Sequence, residues 1–318
     1  FDVDRDGDVD IVLTEMNDAG GYMNIAIMKN NGNGAFAAPS FYPAYSTSDL
    51  AFADLNNDGF IDILGNMVGD MNKVGVFMND GTGKFNTSTT YNVGYYPKYP
   101  FIGDFNNDGY NDFAVLIVPN NNYQVAVMLN NRNGTFGSLA TYPVNIGQAM
   151  TLKGGDFDAN GYVDLVCCGD LGYRINVLLN NKNGTFAPQT EYFLPSTHWP
   201  KDIICTDIDG DTDIDIVANT RESFSGNLVV MLNNGYGRFQ YFGYTTTHYL
   251  QGILSFADFD NDGDVDPIIL DYGGWVSVFK NTGVPELDFG DAPDPTFPTL
   301  LMNNGARHMK RNDLYLGN

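Results

Sequence analysis

The sequence predicts an all-β fold: a β-propeller built from four-stranded blades of about 50 residues, with six repeats visible. Three observations predict it. A nine-residue acidic loop recurs six times at nearly constant spacing, with first residues at 2, 54, 104, 156, 207 and 258, giving steps of 52, 50, 52, 51 and 51. The apolar runs between the loops are short, alternate in polarity and are rich in β-branched and aromatic residues. Gly, Asn and Pro bound every run, and no stretch sustains the 3.6-residue period of a helix.

One repeat has four such runs, named A to D from the axis outward. Strand A precedes the acidic loop, as in "LAFAD" and "LSFAD", and strand B follows it, as in "DIVLT" and "DFAVL". Strand C alternates strictly and ends in an Asn/Gly turn and a Phe, as in "VAVMLNNRNGTF" and "INVLLNNKNGTF". A Thr/Tyr-rich strand D leads to the next repeat. This order puts the acidic A to B loop and the C to D turn at one end of each blade, and the B to C and D to A loops at the other. The first repeat lacks strand A and the sixth lacks an obvious strand D, so upstream sequence is expected to supply both and close a six- or seven-bladed ring. The chain opens at Phe1 inside a repeat, as expected of a processed or truncated piece. Residues 1–283 form the propeller. From Val284 the pattern stops, and 284–318, with four of the 14 Pro, is expected to be a linker or the start of another domain.

The acidic loops raise a question of charge. Each brings three or four carboxylates together at positions 1, 3, 5 and 9 at neutral pH, and 21 of the 35 Asp occupy those positions. Loop positions 1, 3, 5 and 9 are Asp2, Asp4, Asp6 and Asp10; Asp54, Asn56, Asp58 and Asp62; and Asp104, Asn106, Asp108 and Asp112. The other three sets are Asp156, Asp158, Asn160 and Asp164; Asp207, Asp209, Asp211 and Asp215; and Asp258, Asp260, Asp262 and Asp266. Alternating oxygen donors, a turn-permitting Gly at position 6 and a carboxylate at position 9 wrap hard oxygens around one point, which suits Ca2+, about one per repeat and up to six. Zinc would call for His or Cys, and neither occurs in the loops. An EF-hand would need Glu at position 12, where Leu13, Gly65, Val115, Cys167, Ala218 and Ile269 stand. Thr212 replaces the glycine of the fifth loop.

The Asp-x-Asp-x-Asp-Gly-x-x-Asp loops in repeats of this length resemble the FG-GAP/VCBS repeat family of integrin α-subunit propellers and secreted bacterial proteins. The resemblance covers residues 1–283. It implies calcium held in the A to B loops and ligand bound at the opposite end. The tail "LDFGDAPDPTFPTLLMNNGARHMKRNDLYLG" resembles the segment that precedes GEVED-type modules of bacterial surface proteins.

A net charge of −23 argues against nucleic acid or an anionic membrane as partner, since both need a Lys/Arg surface. No run of 18 apolar residues is present, so no membrane insertion by a helix is expected. Cys167, Cys168 and Cys205 make no disulfide framework and are expected to be buried strand residues. Asn86, Asn133 and Asn183 match the glycosylation sequon, but the latter two lie in a turn that itself requires Asn-Gly. With three His, no nucleophile motif and the carboxylates committed to metal, no enzyme is expected. The D to A loops carry Tyr95, Tyr96, Tyr99, His198, Trp199, His248 and Tyr249, aromatics placed to stack on a sugar or anchor a protein. The expected function is therefore a calcium-stabilised extracellular recognition or adhesion module, secreted or cell-surface attached, binding glycan or protein and joined to other domains of its parent chain. A structural spacer is the first alternative and a polysaccharide lyase the second.

Overall fold

A computed structural model describes residues 1–16, 23–43, 49–67, 71–85, 87–170, 172–195, 198–221, 226–247, 252–271, 276–281, 287–288 and 308–309. His248, Tyr249, Asn86 and nearly all of 284–318 lie outside the described residues. Within the described residues the chain is all-β, its one helical element being a single 3-10 turn at Pro119–Asn121.

Six antiparallel sheets follow one another along the chain as propeller blades. The first has three strands, β1 (Ile11–Met16), β2 (Met23–Met28) and β3 (Ser40–Pro43). The second runs β4 (Leu50–Ala53), β5 (Asp62–Asn66), β6 (Lys73–Met78) and β7 (Thr87–Asn92). The third runs β8 (Lys98–Gly103), β9 (Asp112–Ile117), β10 (Gln124–Asn130) and β11 (Phe136–Pro143). The fourth runs β12 (Gln148–Gly155), β13 (Asp164–Asp170), β14 (Arg174–Leu178) and β15 (Thr190–Phe193). The fifth runs β16 (Trp199–Thr206), β17 (Asp215–Arg221), β18 (Gly226–Asn233) and β19 (Phe239–Thr247), and the sixth has three strands, β20 (Gly252–Ala257), β21 (Asp266–Asp271) and β22 (Val276–Val278). Among the described residues the first sheet has no A strand and the sixth no D strand. In the tail, β23 (Leu287–Asp288) pairs with β24 (His308–Met309).

The chain divides into two compact units. The first comprises residues 1–156 and 160–193, and the second 157–159 and 194–318. In the first, the core lies between successive sheets: Val3, Ile25, Ile27, Ile63 and Phe77 join blades one and two, Leu64, Val76, Phe113 and Ala126 join two and three, and Phe105, Leu116, Leu152 and Leu165 join three and four. In the second, Val217, Val230, Leu254 and Ile269 join blades five and six. In blades two to five strands B and C are largely buried on both faces, so their alternation gives way to near-continuous apolar runs in β9 and β13, whereas Ile11 and Leu13 of β1 and Val276 and Val278 of β22 stay exposed. Cys167 and Cys168 are buried in β13, and burial pushes the Cys167 thiol well above its ordinary range.

In blades two to five the Phe that closes the C to D turn packs edge-on against an aromatic of an earlier repeat. Tyr42 meets Phe85 at 5.7 Å, Tyr91 meets Phe136 at 5.3 Å and Tyr142 meets Phe186 at 5.4 Å. In the second unit Phe157 meets Phe239 at 5.4 Å. Phe36 of the first blade has no such neighbour among the described residues and is 39% exposed.

Candidate metal centre

Each acidic loop is built by its own side chains. The position-1 carboxylate accepts hydrogen bonds from the backbone of positions 5 and 6: Asp104 from Asp108 N (3.1 Å) and Gly109 N (2.8 Å), and Asp156 from Asn160 N (2.9 Å) and Gly161 N (2.7 Å). The position-5 side chain accepts from position 7, as Asp58 does from Phe60 N at 2.9 Å. These closures need left-handed backbone at two places. Position 6 has φ of 97, 90, 85, 86, 78 and 97° at Gly7, Gly59, Gly109, Gly161, Thr212 and Gly263. Thr212 thus takes the glycine conformation, and its N–H still reaches Asp207 at 2.8 Å, so the fifth loop keeps its shape. Position 4 is left-handed as well, at Arg5, Asn57, Asn107, Ala159, Gly210 and Asn261.

Position 9 has a second role. Asp10, Asp62, Asp112, Asp164, Asp215 and Asp266 are buried. In the third blade one Asp112 oxygen accepts from Phe105 N (2.9 Å) and the other from Asn130 N (2.7 Å). The same pair of contacts is made by Asp10, Asp62, Asp215 and Asp266. This carboxylate ties the loop to the end of strand C in its own blade. The strand C Asn then reaches an earlier blade: Asn79 Nδ2 donates to Val3 O, Asn130 to Leu55 O, Asn180 to Phe105 O, Asn233 to Phe157 O and Asn281 to Ile208 O. The acceptor in every case is loop position 2, whose apolar side chain is buried in Val3, Leu55, Phe105, Phe157 and Ile208. In the sixth blade, which lacks a described successor, Phe259 is 51% exposed.

The remaining donors gather. Carboxylate oxygens of Asp2, Asp4 and Asp6 lie within 4.8 Å of one another, as do those of Asp156, Asp158 and Asp164 within their single loop, of Asp207, Asp209 and Asp215, and of Asp258, Asp260 and Asp262. The second and third loops have Asn56 and Asn106 at position 3, so their sets mix amide with carboxylate oxygen. Two donors test the fit to a cation directly. Asp4 Oδ1 and Asp158 Oδ1, both at position 3, are buried and have no hydrogen-bond partner. A buried oxygen with neither water nor N–H is costly, and a cation in the loop would satisfy it. Basic side chains take some outer oxygens: Lys29 pairs with Asp4 at 2.9 Å, Arg132 with Asp108 at 3.0 Å, and Lys280 with Asp260. Burial pushes the Asp62 and Asp112 carboxyls up to about 6 and Asp215 up to about 8, with two backbone N–H bonds opposing and neighbouring loop carboxylates reinforcing. Such a crowd of like charges favours protons or a metal ion at these sites.

The motif that carries this geometry matches the model of the FG-GAP-like repeat over residues 2–65, 104–167 and 156–218, more than half of the chain. The chain belongs to the FG-GAP-like repeat family. The matched FG-GAP-like spans take in the first five acidic loops, and the sixth repeats their geometry outside them. No curated protein matches the sequence. Among solved structures, BBS1N in its complex with ARL6DN is similar over 81% of this chain and 74% of that one, at 10% identity and a TM-score of 0.51. The Tc holotoxin pore of Photorhabdus luminescens aligns over 85% of this chain and 14% of that one, at 14% identity and a TM-score of 0.35. The first of these likenesses is one of fold.

At the other end of the FG-GAP-like blades, the aromatic residues separate. Tyr95 and Tyr96 are exposed, at 48% and 44%, with ring centroids 5.9 Å apart. Tyr99 instead packs on the core between blades three and four. In the second unit His198 is buried, and Trp199 opens β16 with the Arg221 guanidinium 6.0 Å from its ring. Asn133 and Asn183 are exposed, but their side-chain oxygens each accept from the N–H and hydroxyl of Thr135 or Thr185, closing the turn. No helix among the described residues is long and apolar enough to cross a membrane.

Proposed function

We propose that the chain is a calcium-stabilised, non-catalytic recognition or adhesion module of a larger secreted or cell-surface protein. Its ligand, a glycan or an extracellular protein, is taken at the ends of the blades away from the acidic loops. The observation that carries the reading is the orphaned position-3 oxygen of Asp4 and Asp158, set among further carboxylates in a loop repeated six times. An all-oxygen donor set with flexible geometry favours calcium over magnesium or zinc. Positions 1, 3 and 5 would hold the ion with position 9 behind them, and calcium supplies charge neutralisation and rigidity there. Calcium sites of extracellular modules have Kd of roughly 0.1 to 1 mM, so at 1 mM calcium each adds about 0.4 to 1.4 kcal/mol to the folded state.

Two measurements test this reading together. Thermal melts in millimolar calcium and in chelator are expected to differ by many degrees, and coincident melts would refute the metal role. Binding to a panel of glycans and extracellular-matrix proteins is expected to saturate in calcium without turnover. Saturable binding that is insensitive to both Tyr96→Ala and Trp199→Ala would overturn the placement of the ligand at that end of the blades, and no binding at all would leave a spacer.

A further inference from the structure

Between blades three and four of the first unit, at the end away from the acidic loops, lies a cavity of 530 Å³. That is within the ~300–1,000 Å³ of small-molecule sites. Its wall carries Tyr95, Tyr96 and Lys98 from the D to A connection and the start of β8, Val118 and Tyr123 from the loop between β9 and β10, and Gln148 from the start of β12. We propose that this cavity binds a saccharide bearing a carboxylate, a hexuronate or sialic acid unit, with Tyr95 and Tyr96 as the stacking platform and Lys98 as the carboxylate's partner. The inference deepens the recognition-module reading and rests on it.

The rings are exposed yet held. Tyr96 N donates to Met71 O at 2.6 Å, and Tyr95 O accepts from Val118 N at 2.8 Å. Tyr96 has φ of 60°, in the left-handed region that an aromatic residue seldom occupies. A fold that keeps a bulky residue in that conformation, with its ring facing solvent beside a cavity, spends stability on presentation. Rigid aromatic faces suit the C–H face of a sugar ring because little side-chain entropy is lost on binding.

The wall also carries a cation. Lys29, Arg132, Arg174 and Lys280 lie elsewhere and are each paired with a carboxylate. Lys98 Nζ instead sits 5.0 Å from the Tyr96 ring centroid, with no carboxylate within ion-pair distance among the described residues. In a chain of net charge −23, an ammonium beside an exposed ring, with no carboxylate partner among the described residues, is complementary to an anion carried on a flat ligand. Tyr123 and Gln148 add a hydroxyl and an amide beside the apolar Leu116, Val118 and Ala149, which is the mixture that ring hydroxyls and a ring face require.

The experiment is calorimetric titration of the whole chain, preloaded with calcium, against oligosaccharides containing glucuronate, galacturonate or sialic acid, each beside its methyl ester. Saturable binding of at least one acidic form is expected, weakened about tenfold or more by esterification and by Lys98→Met or Lys98→Gln. Tyr95→Ala should abolish it. Tyr236→Ala, which removes an exposed ring from a C to D turn in the second unit, should leave it unchanged. Circular dichroism melts within error of the parent keep the variants comparable. Equal affinity for acid and ester, insensitivity to both Lys98 variants, or no binding by any acidic saccharide overturns the proposal. If a neutral glycan or a protein binds with Tyr95→Ala having no effect, this cavity proposal falls while the recognition-module reading stands. Binding of acidic peptides alone in a Lys98-dependent way overturns the saccharide class.

Discussion

The two ends of an acidic loop look alike in sequence and behave differently in the fold. At positions 1, 3 and 5 the side chains close the loop on itself and leave oxygens such as those of Asp4 and Asp158 without partners. At position 9 the same side-chain type is buried, and both of its oxygens are saturated by backbone N–H groups, as Asp112 is by Phe105 and Asn130. The first end has unused donor capacity and the second has none to spare for folding. A carboxylate thus keeps a free oxygen at one end of the loop, where the proposed calcium would be held, and is a structural clasp at the other, with Asp164 and Asp215 close enough to the first group to serve both.

The sharpest way to break this contrast is to remove one carboxylate from each end of the third loop. Asp112→Ala leaves two buried N–H groups unsatisfied, each costing about 1–3 kcal/mol, so a loss on the order of 3 kcal/mol or more is expected in chelator and in calcium alike. Asp108→Asn keeps an oxygen for Tyr110 N and gives up only an exposed ion pair with Arg132. In chelator it should change stability by about 0.5 kcal/mol or less. Its cost should appear in calcium, as a weaker contribution from that site, because a charged donor is replaced by the amide oxygen that Asn160 supplies at the same position of the fourth loop. Urea unfolding of both variants under both conditions checks this; equal losses in chelator would erase the distinction.

A second test uses protons. Because the Asp62 and Asp112 carboxyls are raised to about 6 and Asp215 to about 8, the metal-free fold binds more protons than the unfolded chain from about pH 4 upward. The stability these groups contribute is complete below pH 4 and is lost as pH rises through 6 and toward 8. Melting temperature in chelator should therefore fall by several degrees between pH 5 and pH 8, while the gain on adding calcium grows as binding displaces the protons. A chelated melting temperature that rises across this window would mean the clasps stay ionised without metal.

Most of the blade was readable from residues because each signal has a local cause. Alternation in "VAVMLN" marks strand C, Asn-Gly marks the C to D turn, and the six-fold spacing sets the repeat. The clasp was not readable, because nothing at Asp112 in sequence distinguishes a ligand from an acceptor of backbone N–H groups 7 and 18 residues away. The Asn of "LNN" carried a hint, being the one polar residue repeated at the end of every strand C, and turn geometry alone does not need the first of the pair. Its real partner, such as Leu55 O for Asn130, is 75 residues distant. The ligand end was hidden for a different reason: Tyr96 and Tyr99 share left-handed backbone, yet one faces solvent and the other the core, a difference of tertiary packing that periodicity does not report.

The smallest effect concerns the turn that both ends share. Thr212 holds φ of 78° where the other five loops have Gly, and a β-branched residue there costs about 1–2 kcal/mol against glycine's greater freedom when unfolded, about 0.5–1 kcal/mol. Thr212→Gly should therefore stabilise the fifth loop by under about 1 kcal/mol, in chelator and calcium equally, since no donor oxygen changes. Gly109→Thr is the converse in the third loop, where φ is 85° and an added Cβ would meet nothing within 4 Å, so its cost is one of backbone conformation. Opposite signs of similar size in the two variants would show that position 6 serves the turn alone. If Thr212→Gly also altered calcium affinity, backbone shape at position 6 would have to count among the features that set the cage.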